Sequence, residues 1–180
     1  IESQVVDEDQ DFVYELSATD PEGDALEFSA QADGNADVSV DGSILTVSPD
    51  ADFNGSIEVT VSVTDNLSGG SDETSFTLVV SPVNDAPVLS AIGSQSSDED
   101  SDFTYSLSAS DVDGDDVSFA ASVDGNGSAS VDSGTLTVSP DADFNGDITV
   151  SVSALDGNGG IAGEDFVLNI LPVNDAPVLS

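Results

Sequence analysis

The sequence predicts an all-β protein made of two tandem seven-stranded Greek-key β-sandwiches. Three observations indicate this fold class. The chain repeats itself about every 90 residues, apolar residues alternate with polar ones within short runs, and turns rich in Gly, Asn and Asp separate those runs. Alternation over about four to eight positions is typical of half-buried strands. No stretch of the sequence has the periodicity of an amphipathic helix.

The repeat is the clearest feature of the chain. Asp7-Glu8-Asp9 recurs as Asp98-Glu99-Asp100, at an offset of 91 residues. The segment LTVSPDADFNG at 45–55 is identical to the segment at 136–146. Two copies of one domain of about 90 residues are therefore predicted.

The segment PVNDAPVLS marks the ends of the two copies. It stands at 82–90 and, after a one-residue deletion in the second copy, recurs at 172–180. Ile1 aligns with Ile92, just after the first of these segments, so we expect the chain to come from a longer array. The predicted organisation is repeat 1 at 1–83, a linker at 84–88, repeat 2 at 89–173 and the start of a further linker at 174–180.

Strands are predicted from the alternating runs in each copy. In repeat 1 apolar residues occupy every second position from Phe12 to Ala18 and from Ile57 to Val63. Further runs lie near 26–30, 38–40, 44–47 and 74–80, between turns such as Asp41-Gly42 and Asn54-Gly55. About seven short strands in about 90 residues suit a two-sheet sandwich of immunoglobulin size. A closed barrel is the alternative.

The charge of the chain is entirely negative. It has 37 Asp and Glu and no Lys, Arg or His, which gives a formal net charge of −37. Since Lys and Arg supply the attraction to nucleic acids and to anionic lipids, we expect neither nucleic-acid binding nor direct membrane insertion. Hydrophobic residues make up 38% of the chain, which is too many for a disordered polyacid. No leader precedes Ile1, so we expect any secretion signal to lie outside this sequence.

Acidic motifs recur at the strand ends and loops of each copy. In repeat 1 they are Glu8-Asp9, the segment DPEGD at 20–24, the segment DAD at 50–52, and Asp65. Two carboxylates about 4 Å apart repel by roughly 4 kcal/mol at an effective dielectric constant near 20, and no side-chain cation can offset that repulsion here. Calcium takes about six to eight oxygen ligands, more than one short loop supplies. The pattern predicts that several loops converge on bound divalent cations.

Taken together, these motifs resemble the cadherin-like tandem repeats of large bacterial surface adhesins and, more distantly, the ectodomains of animal cadherins. The resemblance covers the whole chain. It rests on the early Glu-Asp pair and on the segments ATDPEGD at 18–24, SPDADFNG at 48–55, VTD at 63–65 and PVNDAPV at 82–88.

The resemblance implies that Ca²⁺ ions, two or three of them, are bound where successive repeats join. The ligands it implies come from the end of one repeat, the linker and the start of the next: Glu8, Asp50, Asp52, Asn84, Asp85, Asp111, Asp113 and Asp156. This chain has Ser81 and Ala86 where the linker motif of animal cadherins has Asp and Asn. The resemblance therefore does not extend to one of the three Ca²⁺ ions of the animal cadherin junction.

The same matching leaves incomplete sites at both ends of the sequence. They are Asp20, Glu22 and Asp65 at one end, and Glu99, Asp141, Asp143, Asn174 and Asp175 at the other. We expect these half-sites to bind calcium weakly or not at all.

The implied function is that of calcium-rigidified extender repeats in a secreted or surface-anchored bacterial adhesin. Pro82 and Pro87 restrict φ in the linker, and shared ions would remove the remaining hinge freedom, so an elongated rod is expected. Extracellular calcium modules bind at about 10⁻⁴ to 10⁻³ M, which predicts that the rod forms outside the cell. The expected partners are neighbouring repeats of the same chain, and the fragment alone is expected to be monomeric.

The alternative function is a calcium-dependent carbohydrate-binding or homophilic adhesion module. The sequence has two Tyr, eight Phe and no Trp, mostly at core-facing positions, which weighs against a sugar-stacking surface. An EF-hand is not indicated, because in the loop that begins at Asp111 the glycine falls at position 4 and Ser122 stands at position 12. Without His, Cys, Lys or Arg the usual nucleophile-base pairs are missing, so we do not expect an enzyme.

Overall fold

The alternating residues form strands, and the strands stack their apolar faces against one another. The computed structural model describes residues 1–65 and 70–177. Regular structure in this part of the chain is β-strand throughout, and it contains no helix that could cross a bilayer. The strands of the first half are β1 (Gln4–Asp7), β2 (Phe12–Glu15), β3 (Glu27–Ala32), β4 (Ala36–Asp41), β5 (Ile44–Pro49), β6 (Gly55–Thr64) and β7 (Ser71–Ser81). Those of the second half are β8 (Val88–Leu89), β9 (Gln95–Asp98), β10 (Phe103–Ser106), β11 (Ala109–Ser110), β12 (Ser118–Val123), β13 (Gly127–Asp132), β14 (Thr135–Pro140), β15 (Gly146–Leu155) and β16 (Ile161–Leu171).

The chain divides into two compact units, Ile1–Val83 and Asn84–Ser180. The units are called repeat 1 and repeat 2 below. The bounds expected for the linkers, 84–88 and 174–180, stay predictions, and residues 178–180 of the second lie outside the described residues.

Repeat 1 is a sandwich of two sheets. One sheet has the strand order β1-β7-β6-β3 and the other has the order β2-β5-β4. The edge strand β1 runs parallel to β7, whereas the other pairs are antiparallel. Strand β2 pairs with β5 and β3 pairs with β6, so consecutive strands cross between the sheets and pair with strands further along the chain, as in a Greek key. The predicted seven-stranded sandwich is confirmed.

Repeat 2 has the same two sheets and an additional short ladder. The sheets have the orders β12-β15-β16-β9 and β10-β14-β13. In the ladder, Leu89 pairs with Ala109 and Val88 with Ser110. The described part of repeat 2 therefore has nine strands. The two additional ones are β8, which begins at the last residue of the predicted linker, and its partner β11.

Two expectations about the first strands are corrected. The first strand does not begin at Phe12, since β1 precedes it, and β2 ends at Glu15 rather than continuing to Ala18. Strand β1 is an edge strand in which Val5 is 66% exposed. It is held by pairing with β7, more than 70 residues away, and its four residues show no long apolar alternation that could have predicted it.

Each repeat has its own hydrophobic core. Leu45 and Val47 are fully buried in repeat 1, and so are their counterparts Leu136 and Val138 in repeat 2. All eight Phe and both Tyr lie in one of the two cores or pack against it. The loops that carry the acidic motifs connect the strands around these cores.

Candidate metal-binding loops

The acidic loops form two groups in each repeat. The entry loops contain the first Asp-rich turn and the residues after the long central strand: 20–24, 65 and 70 in repeat 1, and 111–115 and 156–160 in repeat 2. The exit loops contain the early Glu-Asp pair and the DADFN turn: 8–9 and 50–54 in repeat 1, and 99–100 and 141–145 in repeat 2.

The first entry loop of repeat 2 folds around Asp111. Its Oδ1 accepts hydrogen bonds from the backbone N–H of Asp113 (3.0 Å) and of Asp115 (3.3 Å). Gly114 has φ of 81°, a left-handed conformation that glycine adopts without strain. The turn brings the carboxylates of Asp111, Asp113 and Asp115 together, with one oxygen of each within 4.8 Å of the others.

The same turn forms in repeat 1. Oδ1 of Asp20 accepts from the N–H of Glu22 (2.8 Å) and of Asp24 (3.0 Å), and Gly23 also has φ of 81°. This geometry is therefore local and is set by the spacing of Asp and Gly in the segment DPEGD.

Asp156 organises the second entry loop of repeat 2. It is 5% exposed, and Oδ1 accepts from the backbone N–H of Asn158 (2.7 Å), Gly159 (2.9 Å) and Gly160 (3.0 Å). Gly160 has no room for a side chain, because a Cβ there would lie 2.2 Å from Oδ2 of Asp156. The loop therefore encloses the carboxylate.

The predicted linker residues contact these loops of repeat 2. The amide of Asn84 donates to Oδ2 of Asp156 (2.8 Å), and the backbone N–H of Asp85 donates to Oδ2 of Asp113 (2.8 Å). The Asn84 hydrogen bond is the main reason that the pKa of Asp156 is lowered. Desolvation opposes the shift, and the backbone N–H groups of the loop reinforce it. Asp156 is thus held as an anion.

One buried carboxylate oxygen in this region has no hydrogen-bond donor. It is Oδ2 of Asp111, which is fully shielded from solvent. A buried carboxylate oxygen without a donor is costly, and the sequence has no Lys, Arg or His to supply one. The neighbouring side chains offer carboxylate and amide oxygens as metal ligands. Such ligands suit hard divalent cations such as Ca²⁺ or Mg²⁺.

The exit loops of the two repeats have matching hydrogen bonds. Glu8 is 2% exposed, and it accepts from the backbone N–H of Val83 and, at 3.4 Å, from the amide of Asn54. Glu99 is 4% exposed and accepts from the N–H of Val173 and, at 3.4 Å, from the amide of Asn145. Each Glu therefore fixes the chain where it leaves its repeat.

In each repeat the second Asp of the DADFN turn lies beside the Asp of the early Glu-Asp pair. In repeat 1 the N–H of Asp52 donates to Oδ1 of Asp9 at 3.3 Å, and in repeat 2 the N–H of Asp143 donates to Oδ1 of Asp100 at 3.2 Å. All four residues have positive φ, between 57° and 59°. Asp tolerates this left-handed conformation better than most residues.

The exit loops of repeat 2 form a second acidic cluster with the chain that follows them. Oxygens of Asp100, Asp143 and Asp175 lie within 4.8 Å of one another. The pKa of Asp175 is raised, first by desolvation and then by the negative charges of Asp143, Asp100 and Glu99. The cluster therefore favours a proton or a cation.

The structure brings some of the predicted ligands together within a repeat. In repeat 2 it joins Asp111 with Asp113, Asn84 with Asp156, and Asp143 with Asp175.

Asp50 and Asp141 begin their turns, in which each backbone carbonyl accepts from the N–H three residues later, but neither is a member of a three-acid cluster in residues 1–65 and 70–177. The backbone N–H of Asp65 donates to the carbonyl of Gly70 (3.2 Å), and residues 66–69 are outside the described part. Glu22 lies in the Asp20 turn, and Asn174 donates to the carbonyl of Asp175. The assignment of all these residues as ligands stays a prediction.

Four acidic residues at these loops are missing from the predicted ligands: Asp9, Asp24, Asp100 and Asp115. The signal that could have found them was the repeat itself, since Asp9 recurs as Asp100 and Asp24 recurs as Asp115. A further contact, from the amide of Asn158 to Oδ2 of Asp115 (2.6 Å), joins the two entry loops of repeat 2.

Comparison with known proteins agrees with this fold. The sequence matches the family model described as bacterial Ig domain over residues 2–79 and 84–169. No curated protein matches it. Among solved structures, human protocadherin-24 EC1-2 aligns at 17% identity over 97% of this chain and 95% of that chain, with a TM-score of 0.56. This alignment supports the two-domain β-sandwich fold.

Two further structures align more loosely. The human desmocollin-1 ectodomain has 15% identity, 97% and 40% coverage and a TM-score of 0.49. The endo-fucoidan hydrolase MfFcnA4, from glycoside hydrolase family 107, has 15% identity and a TM-score of 0.39, and this chain spans 28% of its length. The family match covers most of the sequence in two consecutive stretches. The chain therefore belongs to the bacterial Ig domain family and contains two tandem copies of that domain.

Proposed function

We propose that the chain is a pair of calcium-binding extender repeats from the extracellular region of a bacterial surface adhesin. The observation that carries the proposal is the buried Oδ2 of Asp111, which has no hydrogen-bond partner and lies in a cluster with Asp113 and Asp115. A divalent cation would supply the missing charge and coordination. The oxygen-only donors around it favour Ca²⁺ over softer metals.

The overall charge supports the same role. With 37 carboxylates and no side-chain cation, repulsion within the loops opposes a compact arrangement unless counter-ions bind. Monovalent salt screens this repulsion only beyond about 8 Å at physiological ionic strength. Ca²⁺ at the millimolar level found outside cells would neutralise the clusters directly, in the affinity range of about 10⁻⁴ to 10⁻³ M typical of extracellular modules.

The mechanical part of the proposal is that Ca²⁺ stiffens the connection between the repeats. The resemblance to cadherin-like repeats implies ligands from the preceding repeat, Glu8, Asp50 and Asp52, together with Asn84 and Asp85 and the entry loops of repeat 2. Within repeat 2, Asn84 and Asp85 are already hydrogen-bonded to Asp156 and Asp113. Such pre-positioning lowers the entropy lost when an ion binds.

We favour a spacer over a carbohydrate-binding module because every aromatic ring of the chain packs against a core. Sugar recognition commonly uses exposed aromatic faces, and none of the Phe or Tyr residues provides one. A catalytic role is not proposed, since the loops contain acids and amides but no other catalytic group.

Small-angle X-ray scattering and calorimetry of the whole chain test the proposal. We expect a larger maximum dimension in 2 mM Ca²⁺ (about the extracellular level) than in chelator, and calorimetric Ca²⁺ binding. The double variant Asp111→Ala, Asp113→Ala should lose both responses. The double variant Asp37→Ala, Asp41→Ala removes the same charge from exposed positions of β4 and should keep both. Identical scattering with and without Ca²⁺ in the unmodified chain would overturn the proposal.

A further inference from the structure

Four asparagines of the chain are followed by glycine: Asn54, Asn126, Asn145 and Asn158. Asparagine is a thermolabile residue, because the backbone nitrogen of the next residue can attack its side-chain amide carbon. A following glycine favours this attack, since it has no Cβ in the way and allows a wide range of backbone angles. The two reacting atoms must come within about 3–3.5 Å of each other, so hydrogen bonds that hold either group elsewhere oppose the reaction.

The amides of Asn54 and Asn145 are held by the exit loops. Nδ2 of Asn54 donates to Oε2 of Glu8, and Nδ2 of Asn145 donates to Oε2 of Glu99, both at 3.4 Å and both part-buried. Each amide must give up this hydrogen bond before it can turn toward the nitrogen of the next residue.

Both reacting groups are held at Asn158. Its amide donates to Oδ2 of Asp115 (2.6 Å), and the backbone N–H of Gly159, which would have to attack, donates to Oδ1 of Asp156 (2.9 Å). The loop around Asp156 therefore protects this asparagine at two points.

Asn126 lies in the exposed turn 124–126 between β12 and β13, and its side chain makes no hydrogen bond to the residues that the structure describes. Its backbone carbonyl accepts from the N–H of Asp141 (2.9 Å). Because hydrogen-bonded and non-hydrogen-bonded pairs alternate in an antiparallel ladder, the next pair, Gly127 with Pro140, has its N–H pointing away from β14. Strand β13 is the edge of its sheet, so neither reacting group is held by the sheet.

Repeat 1 contains the same turn with a different following residue. Asn35 is also exposed, has φ of 56° against 58° at Asn126, and accepts from the N–H of Asp50 at 2.9 Å. The glycines that precede the two asparagines both have φ of 151°. The residue after Asn35 is Ala36, whose Cβ hinders the attack. The chain therefore has an internal control in which the backbone is matched and the glycine is missing.

We propose that Asn126 is a site of spontaneous deamidation in the folded chain. The backbone nitrogen of Gly127 loses its proton to hydroxide and attacks Cγ of Asn126. The new N–Cγ bond closes a five-membered succinimide, and the Cγ–Nδ2 bond breaks as the amide takes up a proton and leaves as ammonia. Water then opens the succinimide at either carbonyl, which gives aspartate or isoaspartate.

The reaction needs only water and hydroxide, and it is independent of the calcium sites. It adds a negative charge to a chain whose net charge is already −37. The isoaspartyl product also lengthens the main chain by one carbon in the turn that joins the two sheets of repeat 2.

Incubation of the whole chain in chelator at neutral and at mildly alkaline pH tests the proposal. Samples are digested with pepsin in acid, since the chain has no Lys or Arg for trypsin, and the peptides are sequenced by electron-transfer mass spectrometry. We expect Asn126 to deamidate at least about tenfold faster than Asn54, Asn145, Asn158 and Asn35, because hydrogen bonds or a Cβ raise the barrier at those sites. The rate at Asn126 should increase with pH, since the attacking nitrogen must first lose its proton.

Two controls separate the structure from the dipeptide. The variant Ala36→Gly creates an Asn-Gly pair in the matched turn and should raise the rate at Asn35 to that at Asn126. In denaturant the four Asn-Gly pairs should react at similar rates, whereas Asn35 of the unmodified chain should stay slow. A rate at Asn126 no greater than at the other Asn-Gly pairs of the folded chain, the same order of rates in denaturant, or an unchanged Asn35 in the variant would each overturn the proposal. Because chelator is present throughout, none of these outcomes bears on the proposed calcium-binding function.

Discussion

Repeat 1 and repeat 2 share most of their sequence but differ at the end where each sandwich begins. In repeat 2, Leu89 and Ile92 close the core, and Asn84 and Asp85 are hydrogen-bonded to the entry loops. In repeat 1 the same end is a recess lined by Ile1. The segment 84–92 packs and hydrogen-bonds within the same compact unit as the rest of repeat 2, so it is structurally a part of that repeat.

The largest expected effect tests this conclusion directly. Ile92→Ala should destabilise repeat 2 by about 2–4 kcal/mol, because it removes most of a buried side chain and leaves a cavity. Ile1→Ala, at the corresponding position, should change the stability of repeat 1 by less than about 1 kcal/mol, since Ile1 is 37% exposed. Denaturant unfolding followed by NMR signals from each repeat measures both. Equal losses in the two repeats would contradict the comparison.

Mutations in the exit loops should lower the stability of the two repeats equally, unlike mutations at Ile1 and Ile92. Glu8→Ala and Glu99→Ala each leave a part-buried backbone N–H, of Val83 or Val173, without its acceptor. Each should cost its own repeat about 1–2 kcal/mol in chelator, since relief of acidic repulsion offsets part of the loss. The same unfolding measurement applies. A difference of more than about 1 kcal/mol between the two variants would show that the matching hydrogen bonds are not equivalent.

Strand β8 allows a comparison of neighbouring positions. Leu89→Ser should destabilise repeat 2 by about 1 kcal/mol because Leu89 packs against the core, whereas Val88→Ser should have an effect within about 0.5 kcal/mol, since Val88 is 68% exposed. Thermal unfolding followed by circular dichroism measures both variants. If the Val88 variant were the less stable one, the orientation of β8 would be wrong.

The smallest effects concern two aspartates of repeat 2 with opposite pKa shifts. The pKa of Asp156 is lowered from 3.8, so its stabilising contribution is present above that value and is lost as the pH falls through its folded-state pKa. The pKa of Asp175 is raised from 3.8, so its ionised form destabilises the repeat at neutral pH, and protonation relieves this as the pH falls. Carboxyl-carbon NMR titration in chelator should give midpoints on opposite sides of 3.8.

Asn84→Ala separates the causes of these shifts. It should move the midpoint of Asp156 upward, because the Asn84 amide is the main cause of its lowered pKa, and should leave that of Asp175 unchanged. If the Asp156 midpoint did not move, the amide of Asn84 would not be the cause of the lowered pKa of Asp156.

Much of the architecture could be predicted from local pattern. The alternation at Ile57, Val59 and Val61 is borne out by three side chains at 0–5% exposure on one face of β6. The turn around Asp111 follows from the spacing of Asp and Gly. Strand β1 could not be predicted in the same way, because its four residues are stabilised by pairing with a distant strand rather than by their own periodicity.

The sequence by itself determined the two-repeat β-sandwich, the positions of the acidic loops and the absence of any side-chain cation to neutralise them, since these depend on periodicity, composition and local turn chemistry. The tertiary structure alone decided which acids share an environment, that Glu8 is buried against the N–H of Val83, and that Leu89 closes one repeat while the other has a recess. The physical reason is that burial and hydrogen bonding between residues more than 70 positions apart depend on how the sheets pack, and this is not written in any short stretch of the chain.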